Sequence, residues 1–135
     1  LVQGINDNTI DVIVSDHKPE DEESKRLTFA QAATGAAGIE TLLPLALELY
    51  HNESVKLNKL IKVLTCNPAN ILKIKKGSLD VGNDADLCIL DINKPWIVKQ
   101  NELKSKSKNT PIENRKLQGQ VLKTYVKGNL LYEKF

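Results

Sequence analysis

Asp16 and His17 are the residues best placed to do chemistry, because they directly follow an aliphatic run at residues 9–15. Such a run is typical of a strand buried on both faces, as in a parallel sheet covered by helices. A carboxylate at the end of such a strand lies beside the loops where substrates bind. Asp16 could bind a metal, act as a general base, or cap a loop. His17 could bind metal, orient a metal ligand, or pack beneath the loop.

A glycine-containing segment supplies the next candidates. Thr34-Gly35 and Gly38 could bring backbone amides close to a ligand, or could give a flexible entry to the following helix. His51 follows a helical pattern in a polar stretch, so it is expected to be exposed. With only one well-placed histidine, the chain cannot form a closed zinc site of the usual type.

Three helices are predicted after these candidates. Residues 42–50 have a broad apolar face, with Pro44 tolerated near the first turn. Residues 55–64 carry an apolar stripe at helical spacing. Asn67 and Pro68 predict the N-cap and first position of a short third helix.

Beyond Gly77 the pattern becomes extended. Residues 85–90 and 96–98 are predicted strands, and residues 100–118 are predicted to be mostly loop. Gly128-Asn129 separates two further strand candidates and predicts a two-residue hairpin turn with glycine first.

The composition excludes several classes of protein. The 135 residues are 41% hydrophobic with a net charge of +2, which favours one globular unit and argues against disorder and nucleic-acid binding. No apolar run is long enough to span a membrane, and no signal peptide is evident. Cys66 and Cys88 are interpreted as reduced, partly buried thiols of a cytoplasmic protein. The chain begins at Leu1 and contains no Met, so we expect a fragment of a longer protein.

Taken in order, several motifs resemble those of class I dihydroorotases, within the amidohydrolase superfamily. The resemblance covers essentially the whole chain. It rests on Ile13-Val-Ser-Asp16-His17-Lys-Pro19, Gly35-Ala-Ala-Gly38-Ile-Glu40-Thr41, Asn67-Pro68-Ala69, Gly77-Ser-Leu-Asp-Val-Gly82, Ser107-Lys108-Asn109-Thr110-Pro111 and Leu117-Gln-Gly119.

The resemblance implies an α/β fold, namely the C-terminal part of a metal-dependent amidohydrolase (β/α) barrel. Residues 1–76 would hold the last barrel strand, its active-site loop and the following helices, and residues 77–135 part of a small β domain. Family members use a divalent metal, usually zinc, to interconvert dihydroorotate and carbamoyl aspartate in pyrimidine synthesis. Asp16 aligns with the family carboxylate that contacts the metal and acts first as base and then as acid.

Two positions depart from the family pattern. Glu20 stands where many members have a histidine that helps bind the substrate carboxylate, and its charge would repel that group unless a cation, metal or proton intervened. Thr34 stands where a proline usually precedes Gly35 in the loop that presents backbone to substrate. Glu20, Thr34 and Gly35 are therefore predicted substrate contacts, and His17 is predicted to orient a metal ligand.

The remaining metal ligands of the family would lie outside this chain, so we expect it to be inactive without the missing N-terminal barrel half. The protein partner is expected to be either a second copy of the chain, in a homodimer, or aspartate transcarbamoylase. No nucleic acid or membrane partner is expected. Glu20 also leaves open a non-catalytic scaffold related to dihydroorotase. A third reading is another cyclic amidohydrolase, of the allantoinase or hydantoinase type.

Overall fold

The computed structural model describes residues 1–134. A helical half comes first along the chain and a β-rich half follows it. The helices are α1 (Val2–Asn6), α2 (Glu22–Lys25), α3 (Leu42–His51), α4 (Leu57–Leu64) and α5 (Cys66–Ile71). The strands are β1 (Leu87–Ile97), β2 (Lys116–Val126) and β3 (Asn129–Glu133), with a short 3-10 turn at Gln100–Glu102.

Helix α3 is the centre of the packing. It begins where predicted, and Pro44 lies in its first turn, where a missing N–H removes no helical hydrogen bond. The helix packs against α4 and against β2. The buried core between the helices is apolar, as their spacing predicted, and consists of Ile5, Ala46, Leu47, Val55, Leu60 and Val63.

The sheet is antiparallel, in the order β1-β2-β3. The two strands predicted at 85–90 and 96–98 are one bulged strand, β1, with register shifts at Ile89/Leu90 and between Asp91 and Pro95. Bulges let a polar interruption remain inside a strand, so the break in the apolar pattern did not mark a strand end.

The hairpin turn is one residue earlier than predicted. Val126 pairs with Asn129, so the central residues are Lys127 and Gly128, with φ values of 49° and 79°. Two positive φ values are those of a type I′ turn, whose twist matches that of the strands. The Gly128 N–H also donates to the Ala85 carbonyl at 3.0 Å, which fixes the turn against the start of β1.

The strand predicted at residues 9–15 is of the parallel type, and no partner for it is expected among the other strands predicted from this sequence. The segment is extended, but it belongs to no sheet within residues 1–134. The Ile13 N–H donates to the Val63 carbonyl at 3.2 Å, and an isolated parallel bridge joins His17 to Ala36. A parallel strand needs neighbouring strands to complete its ladder, and the described residues supply none beside this segment.

Two local predictions are also corrected. Helix α5 begins at Cys66 with Thr65 as its N-cap, and Asn67 instead donates its side-chain amide to the Asp11 carbonyl at 2.8 Å. His51 is half-buried rather than exposed, because its Nε2 lies 3.0 Å from the Ile92 carbonyl oxygen.

The two cysteines are both free, but Cys88 is exposed and only Cys66 is partly buried. Within residues 1–134, every helix is too short or too polar to cross a bilayer.

Candidate active-site cleft

Asp16 lies at the end of the extended segment with its side chain exposed. Its backbone has φ of +43°, in the left-handed region. An L-residue other than glycine is disfavoured there by roughly 1–2 kcal/mol, although aspartate tolerates it better than most. Strained backbone of this kind is concentrated at functional sites, where it aims a side chain. Glu53 is also exposed with a positive φ, of +56°, but it lies in the turn after α3 and does not line the cleft described next, whereas Asp16 does.

Asp16 lines an open cleft of about 430 Å³. Three stretches that are distant in sequence form its walls, at residues 15–16, 35–38 and 110–112, together with Thr41 and Leu45. The Thr110 hydroxyl is buried and has no hydrogen-bond partner within residues 1–134. A space lined by one exposed carboxylate, backbone of small residues and an unpartnered hydroxyl can hold a small polar molecule.

His17 holds two walls of the cleft together. Its Nδ1 accepts hydrogen bonds from the backbone N–H groups of Gly38 (3.1 Å) and Ile39 (3.2 Å). A neutral imidazole that accepts at Nδ1 carries its proton on Nε2, and its Nδ1 is not free to bind a metal. That His17 orients a metal ligand remains a prediction; its observed contacts fix the residue after Asp16 to the glycine segment.

Gly35 lies in the cleft wall, whereas Thr34 is exposed and does not line the cleft. Gly35 has φ of +131°, and a β-carbon there would overlap the Lys18 carbonyl oxygen. Its own carbonyl accepts from Lys25 Nζ at 3.0 Å and from Asn109 Nδ2 at 3.1 Å. Both lone pairs of this oxygen are therefore used by the protein, and a ligand would meet other atoms of the segment.

Glu20 also lies outside the set of residues that line the cleft. Its carboxylate, 22% exposed, is 3.1 Å from the ammonium of Lys18, which is 60% exposed. The charge expected to repel an anionic substrate is thus offset by a cation two residues away. Exposed pairs of this kind contribute little to stability, so the pair matters more for the local charge than for the fold.

Asn109 and Lys25 are positioning residues that the sequence did not reveal. Lys25 donates to the carbonyls of Ala33 (2.7 Å) and Gly35 (3.0 Å). Asn109 contacts both the Glu20 loop and Gly35. Each side chain bridges backbone groups of other loops, and no periodicity or local spacing carries that information.

Asp16 is the one His, Cys, Asp or Glu side chain within residues 1–134 that lines the cleft. No group of three His, Cys, Asp or Glu side chains within residues 1–134 is placed to hold a metal ion. The exposed Asp16 carboxylate fits the role of a single oxygen ligand for zinc, which is bound by three protein ligands or more. The chain can therefore contribute to a metal centre but cannot form one from these residues.

A family model described as the amidohydrolase family matches residues 1–131. Among curated proteins, a dihydroorotase of Ehrlichia canis is 45% identical over 132 residues, which are 98% of this chain and 30% of that protein. A dihydroorotase of a Geobacter species is 41% identical over 130 residues, which are 96% of this chain and 31% of the relative. The chain thus spans about 30% of the length of the curated relatives that it matches.

Solved structures show the same fold. An L-hydantoinase from Arthrobacter aurescens superposes with a TM-score of 0.91 at 32% identity, covering 98% of this chain and 31% of that one. A dihydropyrimidinase from Brevibacillus agri gives a TM-score of 0.91 at 19% identity, with 98% and 30% covered, a likeness of fold alone. The predicted α/β fold, a portion of an amidohydrolase, is confirmed.

Proposed function

The chain belongs to the amidohydrolase family, and we propose that it is part of a dihydroorotase, which hydrolyses dihydroorotate reversibly to N-carbamoyl-aspartate in pyrimidine biosynthesis. The curated relatives named dihydroorotase, at 40–45% identity over nearly all of this chain, support the proposal. The observation that carries it is the placement of Asp16, an exposed carboxylate in strained backbone at the mouth of an open cleft.

In the proposed reaction Asp16 moves the proton. Its carboxylate removes a proton from water as the water attacks the ring amide carbon, and later delivers that proton to the leaving nitrogen, so one residue serves as base and then as acid. A bound zinc ion supplies Lewis-acid polarisation and makes the water more acidic. Asp16 would be one of its ligands, and the others would come from outside the described residues.

The substrate's own carboxylate would be received near the Lys18–Glu20 pair. Lys18 Nζ lies 3.1 Å from Glu20 Oε1, so the cation that could meet an anionic substrate is held beside the glutamate. Glu20 would then act by positioning Lys18 instead of contacting the substrate carboxylate directly. Thr34 and Gly35 would contribute through backbone groups of the adjoining segment other than the Gly35 carbonyl, which already accepts two hydrogen bonds.

Activity would require the chain to be completed by the rest of a barrel. The extended segment before Asp16 has no sheet neighbours within residues 1–134, and Val14 on it is 70% exposed. Neighbouring strands would cover this surface and bring further metal ligands to Asp16. We place the completed protein in the cytoplasm, either as a homodimer or with aspartate transcarbamoylase.

A second candidate is hydrolysis of another cyclic amide. The L-hydantoinase of Arthrobacter aurescens is 32% identical over the same segment, and a hydantoin ring carries the same kind of amide bond without the dihydroorotate carboxylate. The walls of the cleft formed by this chain are mostly backbone and small side chains, which fit either ring. The curated relatives named dihydroorotase, at 40–45% identity, favour dihydroorotate.

The test joins this chain to the part of the Ehrlichia canis dihydroorotase that it does not match, giving what we call the completed enzyme. Loaded with zinc, it should hydrolyse dihydroorotate in preference to hydantoin, while the isolated chain should hydrolyse neither. The unaltered Ehrlichia enzyme is the positive control. Preference for hydantoin would favour the second candidate. A folded, zinc-loaded but inactive protein would favour a non-catalytic scaffold.

A further inference from the structure

Asn109 is the residue whose side chain joins the two loops on either side of the cleft. Its Oδ1 accepts from the Glu20 N–H at 3.1 Å and from the Ser107 hydroxyl at 2.8 Å. Its Nδ2 donates to the Gly35 carbonyl at 3.1 Å. Glu20 is 89 residues from Asn109 along the chain, and Gly35 is 74 residues from it. The side-chain amide therefore stabilises tertiary structure and not a local turn.

The backbone of the same residue strengthens the junction. The Asn109 carbonyl accepts from the Ala37 N–H at 2.8 Å. The Ser107 hydroxyl also lies within hydrogen-bonding distance of the Glu20 carbonyl, so its one proton is shared between that carbonyl and Asn109 Oδ1. The next residue, Thr110, lines the cleft that Asp16 lines. Ser107, Asn109 and Thr110 therefore connect the Asp16–Glu20 loop to the Gly35–Ala37 wall.

The chemistry of the side chain matters here, because the junction needs an acceptor for an N–H and a donor for a carbonyl at once. A carboxamide offers both on one short, planar group. An aspartate of the same shape would keep the acceptor for Glu20 but place a negative oxygen against the Gly35 carbonyl. An alanine would lose both contacts, leaving the partly buried Glu20 N–H without its acceptor and the Gly35 carbonyl with Lys25 as its remaining donor.

We infer that Asn109 is a positioning residue for catalysis, which fixes the distance between Asp16 and the cleft wall that presents backbone to the substrate. The inference rests on the proposed function and deepens it. Asn109 does not touch the reacting atoms. It acts by holding the wall at Gly35–Ala37 in register with the loop that carries Asp16, and displacements of about 1 Å in such a site can lower rates by about a hundredfold.

The test compares Asn109→Asp and Asn109→Ala with Lys108→Met in the zinc-loaded completed enzyme. Lys108 is the matched control, because its ammonium donates to the Leu103 carbonyl within the same loop and away from the cleft walls. Rates are expressed per zinc-loaded molecule, so that a loss of folded protein does not count as a loss of rate. We expect kcat/KM to fall by about tenfold to a hundredfold in both Asn109 variants and to change by less than about twofold in the control.

Amide hydrogen exchange separates this inference from the proposed function. In Asn109→Ala the amides of Glu20 and Ala37 should exchange faster, while in Lys108→Met both should stay protected. Unchanged kinetics in Asn109→Ala, or an equal loss in the control, would overturn the inference. If the completed enzyme without substitutions is inactive while the unaltered Ehrlichia enzyme is active, both the proposed function and the catalytic role of Asn109 would be overturned. If the alanine form does not fold, Asn109→Asp, which keeps the acceptor for the Glu20 N–H, supplies the comparison with Lys108→Met.

Discussion

Replacing Gly35 by alanine tests how tightly the cleft wall is built against the Asp16 loop. Gly35→Ala combines two penalties, a positive φ of +131° and overlap of the new methyl group with the Lys18 carbonyl oxygen. Substitutions at two other glycines allow the two penalties to be measured one at a time. Gly82 has φ of +94° with no atom within 4 Å of a β-carbon, and Gly38 lacks a positive φ but would place a β-carbon 2.8 Å from the Ser15 carbonyl oxygen.

The expected magnitudes follow from these geometries. Left-handed backbone disfavours alanine by about 1–2 kcal/mol. Alanine also lowers the conformational entropy of the unfolded chain, which stabilises the folded state by about 0.4–1 kcal/mol. Gly82→Ala should therefore lower the free energy of unfolding by about 1 kcal/mol. Overpacking adds about 1–3 kcal/mol where the neighbour is backbone. Gly38→Ala should therefore destabilise by about 1–2 kcal/mol, and Gly35→Ala by about 2–4 kcal/mol.

The assay is hydrogen exchange at the Lys18 and Ala37 amides of the completed enzyme, which report opening of the wall. The Lys18 N–H donates to the Ala36 carbonyl at 3.1 Å, and the Ala37 N–H donates to the Asn109 carbonyl at 2.8 Å. Since about 1.4 kcal/mol corresponds to a tenfold change, Gly35→Ala should speed exchange by about 30-fold to several hundredfold. Gly82→Ala should leave these two amides unchanged.

One result would refute this reasoning. If Gly35→Ala speeds exchange no more than Gly38→Ala, then the Lys18 backbone moves aside at little cost. The close approach of the two loops would then not be a constraint on the cleft. Far-UV circular dichroism of each variant is the check that the global fold is retained.

Two further predictions concern charged side chains. Lys25→Met removes two hydrogen bonds to the wall at residues 33–35, so it should destabilise that wall by about 1–2 kcal/mol and lower kcat/KM several-fold. The control, Lys62→Met on the exposed face of α4, should do neither. The hydrogen bond from Lys76, followed by one from the Lys127 N–H, lowers the pKa of Asp86 below its usual 3.8. The stabilisation that the Asp86 carboxylate gives the fold is present above pH 3.8 and is lost as the pH falls through the lower pKa of the folded protein. Asp86→Asn should therefore make the melting temperature fall less steeply at acid pH. An unchanged dependence of the melting temperature on pH would contradict this.

The helices were predictable because their sequence signals are local. The apolar faces of α3 and α4 and the placement of Pro44 in the first turn followed from helical periodicity alone. The start of α5 was missed because Thr65, not Asn67, is the N-cap, and Asn67 is drawn to the Asp11 carbonyl. That contact joins residues far apart in the sequence, so no local pattern contains it.

The strand predictions failed where pairing decides the outcome. The bulges in β1 carry a polar stretch through one continuous strand, and the type I′ turn is set by the register of β2 against β3. The aliphatic run at residues 9–15 has strand-like composition, yet strand composition cannot supply the neighbouring strands.

The candidate site was predictable only where residue type and position along the chain were enough to identify a residue. Asp16, Gly35 and Gly38 were identified from type and position, and all three line the cleft. Thr34 does not line it, and the contribution of residues 110–112 was missed. The sequence shows which residues could do chemistry, whereas the contacts of His17 and Asn109 that hold the walls together depend on the folded chain.

The most direct test of the central claim is the rate of dihydroorotate hydrolysis by the completed enzyme carrying Asp16→Asn. The matched control is Asp11→Asn, an exposed carboxylate on the same extended segment. With zinc content measured in each sample, Asp16→Asn should lower kcat by at least about a hundredfold, the usual scale for loss of a general base, while Asp11→Asn should retain nearly full activity. Full activity in a zinc-loaded Asp16→Asn variant would contradict the assignment of Asp16 as the proton-transferring residue.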